Sequence, residues 1–218
     1  IKIILGIFPF ISFFLFLIYR IQLKDLSTYR RLVAEGSLVE WLSFLFLLLA
    51  SFIFFNSSKI YIKKFVCKTL FIISGLSFFF AMEEMSWGQT IFQWESSDFF
   101  SQLNKQEETN IHNLIFLHGH KSLFFLLFFS ILSLLCLLGY YFRLNENIKP
   151  TKLFEIIFPP LYIIGYFITG SLIYFGLFLQ NINIDVPILV SSDQEIFECF
   201  FAFGILLHSC QIYISNDS

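Results

Sequence analysis

Apolar residues gather in six long runs separated by shorter polar or charged stretches, and this rhythm governs the reading of the chain. The runs cover 3–19, 40–56, 65–83, 121–142, 153–178 and 195–214. Each approaches the roughly 20 residues that a helix needs to cross a hydrocarbon core of about 30 Å. Inside lipid the backbone must satisfy its own hydrogen bonds, which a helix does and an open strand edge does not. The pattern predicts an all-α fold: a polytopic membrane helical bundle of about six transmembrane helices. One integral membrane domain then accounts for 1–218, with a polar loop at 84–120. The fifth run carries Pro159-Pro160 together with Gly165, Gly170 and Gly176. A proline pair removes two backbone donors, so this helix should kink and leave carbonyls for its neighbours to satisfy.

Composition agrees with the pattern. Of 218 residues, 57% are hydrophobic and 14% are charged, against about 25% charged in a soluble domain. Phe occurs 33 times, which reads as the codon bias of an AT-rich genome more simply than as an aromatic binding function. The net charge of -2 gives none of the basic footprint of a nucleic-acid partner. Cys67, Cys136, Cys199 and Cys210 lie in or beside apolar runs without C-x-x-C spacing, so they read as packing residues and not as a disulfide or zinc framework. The run from Ile1 to Tyr19 is too long for the apolar core of a signal peptide, and no small-x-small site precedes Arg20. It reads as a retained first span.

Six spans place both termini on one face. That face carries the short loops 57–64 and 143–152, with Lys59, Lys63, Lys64, Arg143, Lys149 and Lys152. Lys and Arg in short loops set orientation, so this face should be cytoplasmic in a bacterial inner membrane. The opposite face receives nearly all the acids. Of the sixteen acidic residues, only Glu146, Glu155 and Asp217 fall elsewhere, which leaves thirteen. Trp41, Trp87 and Trp94 come out near the same face, as interface-seeking tryptophans should.

Three constellations on this acidic face could carry chemistry. The first, Glu83-Glu84-Met85-Ser86-Trp87-Gly88-Gln89, ends the third span. Neighbours on a helix point about 100° apart, so one Glu can face the bundle while the other faces the interface. The second runs from Asn104 to Asn113, with polar groups at 104, 106, 108, 110 and 112. That alternation suits an extended segment laid across the mouth of the bundle. In a helix, Glu108 and His112 would instead share one side at metal-ligand spacing. The third, Glu195-Ile196-Phe197-Glu198, sets two carboxylates on one helix side, with Glu198 about a turn inside the span. Glu40 opens the second span in the same manner.

Charges this close to lipid are costly and mark a pair, a pathway or a site. Gathered carboxylates repel one another unless a cation joins them. Oxygen ligands with one His suit a divalent metal (Mn, Fe, Zn, Ca or Mg), and sequence does not choose among these. The candidate ligands are Glu83, Glu84, His112, Glu195 and Glu198. Glu84 and His112 are the candidates for water activation. Glu40, Gln89, Glu108, Asn110 and Asn113 are further candidates. His118 and His120 precede the fourth span, and His208 lies deep in the sixth, where a lone His is more often hydrogen-bonded packing.

The two motifs Glu83-Glu84-x-Ser86-Trp87-Gly88-Gln89 and Asn104-x-Gln106-x-Glu108-x-Asn110-x-His112-Asn113, with Glu35-Gly36 and Glu40-Trp41, resemble a group of uncharacterised bacterial multi-pass membrane proteins. The likeness covers about a third of the chain and implies a membrane bundle without implying an activity. A weaker likeness is to the CAAX-type intramembrane proteases. Phe116-Leu117-His118-Gly119-His120 is similar to their second motif. Gly88 stands where their first motif has Arg, and Ile212 stands where their third has Asn.

The leading functional expectation is a metal-dependent membrane hydrolase that acts on a lipid or peptide, with Glu84 and His112 activating water. The alternatives are a non-enzymatic assembly or binding subunit whose loop 95–113 docks a protein partner, and a proton- or cation-coupled transporter gated by the kinked fifth helix. No internal repeat of the kind common in transporters is visible.

Overall fold

The computed structural model of the chain describes residues 1–218 except 24–26, 28, 30–32, 34–36, 105–108, 112–113, 115–119, 146–149 and 216–218. Glu108, His112, Asn113 and His118 therefore lie outside the described residues. Among those described there is no β-strand, only an isolated antiparallel bridge between Asn104 and Leu114. Six helices are long and apolar enough to cross a membrane. Five are Lys2–Gln22, Leu38–Ile60, Lys64–Glu84, Lys121–Leu144 and Gln194–Ile214. The fifth in chain order is interrupted, with Lys152–Ile157 and Ile164–Asn181 on either side of the proline pair. The protein is an integral membrane helical bundle. Its spans extend a few residues beyond the apolar runs, because the flanking polar residues continue the helices past the hydrocarbon.

Lipid gives apolar helices no hydrophobic reason to associate, so small residues and interhelical hydrogen bonds must do it. The second and third spans show this. Ser51, Ser74, Ser77, Ala50 and Ala81 are buried between them. Ser51 Oγ donates to the Ser74 carbonyl at 2.9 Å, and Ser74 Oγ donates back to the Ser51 carbonyl at 2.9 Å. Each hydroxyl thus reinforces the other helix. Gly170 in the fifth span plays the equivalent part against the fourth. A Cβ there would come within 2.8 Å of the Phe129 ring, so glycine is what lets that ring seat.

Prolines within spans strand carbonyls, and the structure supplies donors for them. Pro9 in the first span cannot donate to the Leu5 carbonyl. The buried Tyr166 of the fifth span donates to it instead, at 3.0 Å. At the break in the fifth span, His208 Nε2 donates to the Ile156 carbonyl at 2.9 Å, and Arg143 donates to the Phe158 carbonyl at 2.7 Å. The expected kink is thus an outright break. His208 takes its packing role in completing the backbone there.

The spans pack in a curved row. The third lies on the second, the second on the sixth, the sixth on the fifth and the fifth on the fourth, while the first lies against the fifth. Phe129, Phe167, Tyr174, Phe197 and Phe201 form the centre of the core. All four cysteines are free, and only Cys136 is fully buried.

Candidate functional site

Helix direction brings the end of the third span and the start of the sixth to the same face of the bundle. Glu84 is the last residue of the third span, and Glu195 and Glu198 occupy the first turn and a half of the sixth. One carboxylate oxygen from each lies within 4.8 Å of the other two. Sequence positions more than a hundred apart thus share one spot at the membrane boundary, as the acidic face predicts. Tyr174, fully buried in the fifth span, donates its hydroxyl to Glu198. Gln194 Nε2 donates to Glu195 Oε1 at 3.1 Å. The charges of Glu40 and Lys121 act on the same group, one adding to the negative charge and one opposing it.

Beside this triad lies a cavity of about 430 Å³. Glu83, Glu84 and Glu198 line it together with Lys121 and His120, and the rest of the wall is apolar, chiefly Phe79, Phe80, Phe124, Phe125, Phe128, Phe129 and Phe201. A volume of this size falls in the ligand-pocket range of about 300–1,000 Å³. Composition alone assigns the phenylalanines to codon bias, yet the fold collects seven of them, Phe129 included, around one chamber. Tyr174 and Lys121 are not among the candidates read from the sequence, although Lys121 falls on the acidic face. The signal for Tyr174 was a hydroxyl inside an otherwise apolar run, which in lipid needs a partner.

Glu83 behaves differently from its neighbour. Its Oε1 accepts from Trp87 Nε1 at 2.6 Å, and its Oε2 accepts from the Ile111 backbone at 2.8 Å. Both oxygens are taken up outside the triad. Around it the chain reverses sharply, with Ser86, Trp87 and Gly88 all at positive φ (45°, 57° and 94°). Non-glycine residues in this region cost of order 1–3 kcal/mol each and need fixed surroundings. The second motif provides them. Asn110 Nδ2 donates to Ser86 Oγ at 3.0 Å, the Thr109 backbone donates to Gln89 Oε1 at 2.7 Å, and Asn104 Nδ2 donates to Asn110 Oδ1 at 2.8 Å. Glu83, Gln89 and Asn110 are therefore joined in a hydrogen-bonded lock that ties residues 104 and 109–111 to the end of the third span.

Asp193 is likewise committed elsewhere. It is completely buried, lies 3.5 Å from Arg20, and accepts from the Tyr29 hydroxyl at 2.5 Å and from the Val190 backbone at 2.8 Å. This group ties the end of the first span to the start of the sixth. Burial, helped by the Asp193 charge, pushes the Tyr29 hydroxyl well above its ordinary pKa, so it keeps its proton and donates.

Comparison of the chain with protein-family models, with curated proteins and with solved structures gives no match. The function is therefore read from the residues themselves.

Proposed function

We propose that this integral membrane protein is a metal-dependent hydrolase acting on a lipid or peptide at the membrane boundary. The observation that carries the reading is the convergence of Glu84, Glu195 and Glu198 within 4.8 Å at the edge of a chamber. Three carboxylates this close repel one another when ionised, and the Glu40 charge acts in the same direction. A divalent cation relieves that repulsion. Hard oxygen donors suit Mg, Mn or Ca, and Fe and Zn also accept them.

Glu84 takes no hydrogen bond from any described residue, whereas Tyr174 orients Glu198 and Gln194 orients Glu195. Two ligands are thus held in place and the third is free to bind the ion or to take a proton. A cation held there would acidify a bound water and polarise a carbonyl or phosphoryl oxygen on the chamber side. Lys121 stands at the same end to meet developing negative charge. His120 lines the chamber as an exposed imidazole, and His112 keeps its sequence-based assignment to water activation. The lock between residues 83–89 and residues 104 and 109–111 gives a physical reason for the two motifs of the resembled bacterial group to occur together, and we propose membership of that group on it.

Elemental analysis of the detergent-purified protein tests the reading. Near-stoichiometric metal in the wild type, lost in both Glu84→Ala and Glu195→Ala, is the expected result. Absence of metal from every sample would sink the metal centre and leave a partner-binding or proton-coupled role for the acidic face.

A further inference from the structure

The row of spans does not close into a ring. The third span packs on the second and the fourth on the fifth, while the third and fourth share no extended interface among the described residues. They meet across the chamber through aromatic rings, such as Phe80 and Phe128, whose centroids are 6.2 Å apart. Phe124 stands at this opening with 62% of its surface exposed toward the lipid side. The chamber thus has an apolar mouth in its side wall and a polar end made by Glu83, Glu84, Glu198, Lys121 and His120.

We propose that the gap between the third and fourth spans is a lateral portal, and that its occupant is the hydrocarbon tail of a membrane lipid whose polar head reaches the carboxylate end. This names the substrate class for the proposed hydrolase. It rests on that reading for the chemistry at the head, and on the chamber alone for the seating of the tail.

Three observations favour a lipid tail over a transmembrane peptide. The first is the lining, because a tail leaving the bilayer for a phenylalanine wall exchanges one apolar surrounding for another and meets little desolvation cost. The second is size. One turn of a helix about 10 Å across and 5.4 Å long displaces about 420 Å³, so a chamber of about 430 Å³ would hold a single turn, whereas a flexible chain can thread it. The third is height. Glu84 ends the third span and Lys121 begins the fourth, so the polar end lies at the membrane boundary, where lipid heads already sit.

The test uses the full chain in nanodiscs of phosphatidylcholine doped with a phosphatidylcholine that carries a diazirine in one acyl tail. After irradiation, adducts are mapped by mass spectrometry. Labelling of Phe79, Phe124 and Phe128 is expected to exceed that of Phe14 and Phe65 several-fold, although the latter two are lipid-exposed on the outside of the bundle. Phe124→Trp, a substitution at an exposed position, should narrow the mouth and cut labelling at Phe79 and Phe128 while leaving Phe14 and Phe65 unchanged. Chamber labelling no higher than at Phe14 and Phe65 would overturn the proposal. So would preferential labelling of the chamber by a diazirine-bearing transmembrane peptide. Metal content measured on the same nanodiscs separates the two readings. Tail labelling without metal keeps the portal and removes the metal centre, and metal without tail labelling does the reverse.

Discussion

Asp193 and Glu195 stand two residues apart at the head of the sixth span, yet one is paired and the other crowded. Asp193 is buried with Arg20 beside it and two donors on its oxygens. Glu195 faces Glu84 and Glu198. The same contrast separates Glu83, whose oxygens both accept hydrogen bonds, from Glu84, which accepts none from the described residues. A carboxylate at a membrane boundary is therefore not in itself a sign of chemistry. What distinguishes the two kinds is how fully the fold satisfies them: both oxygens of Asp193 and of Glu83 accept, whereas Glu195 and Glu198 each take one donor and Glu84 takes none from the described residues. Asp193 and Glu83 hold segments together. Glu84, Glu195 and Glu198 add more negative charge than the bundle compensates.

The contrast is easiest to break at Asp193. Asp193→Asn leaves Arg20, only 7% exposed, without its counter-charge, and removing one partner of a buried ion pair costs about 3–5 kcal/mol. Thermal unfolding in detergent should show a loss of that order, while the double change Arg20→Leu with Asp193→Leu should recover much of it. A single-variant cost below about 1 kcal/mol would remove Asp193 from the structural class.

Glu83→Gln should act more locally. It retains an acceptor but loses the charge on two hydrogen bonds, which is worth about 2 kcal/mol. The expected readout is faster hydrogen exchange and proteolysis across 86–111 with metal content unchanged. If metal is lost while 86–111 stays protected, Glu83 belongs with the crowded acids.

Glu195→Gln should have the opposite sign. At a pH high enough to ionise the three carboxylates, and at an effective dielectric between that of water and that of a protein surface, relieving one like-charge contact within 4.8 Å is worth about 1–3 kcal/mol. The metal-free protein should therefore unfold later than the wild type by about 1 kcal/mol or more, while metal binding falls. Sites that trade stability for function respond in this way. Destabilisation of the metal-free protein would mean that Glu195 is structural.

Much of the fold was legible because span length is a strong signal: a run of apolar residues near twenty long has few other uses. A kink at Pro159-Pro160 followed from the missing donors, though not the outright break that the structure shows, and the divergence of Glu83 from Glu84 followed from helix geometry. The pairing of the acids was hidden. Tyr29 and Asp193 are separated by 164 positions, and nothing in the local pattern around either says which of the acids on the acidic face would find Arg20. The lock between the two motifs was half visible: alternation at 104–112 suggested a segment laid over the bundle, and Gln89 and Asn110 were candidates, but nothing in the local pattern joined Gln89 to the Thr109 backbone or Asn110 to Ser86. The chamber was hidden for a different reason. With 33 phenylalanines in the chain, composition gave no means of telling a wall from a background.

The smallest expected effect is on pH dependence, and it probes the paired side of the contrast. Burial and Asp193 raise the folded-state pKa of Tyr29 above its ordinary value of 10.0. The unfolded chain therefore releases this proton first as pH rises. The stabilising contribution is full below pH 10 and is lost progressively above it, since the folded state must hold a proton that the unfolded state has given up. One group can tilt stability by at most about 1.4 kcal/mol per pH unit, and only above its unfolded pKa. Unfolding midpoints in detergent between about pH 8 and pH 11 should fall for the wild type and fall less for Tyr29→Phe. Tyr61 is also shifted upward by burial, so part of the slope should survive the substitution. An unchanged slope in Tyr29→Phe would mean that Tyr29 is open to water, and that Asp193 has Arg20 and the Val190 backbone as its only partners.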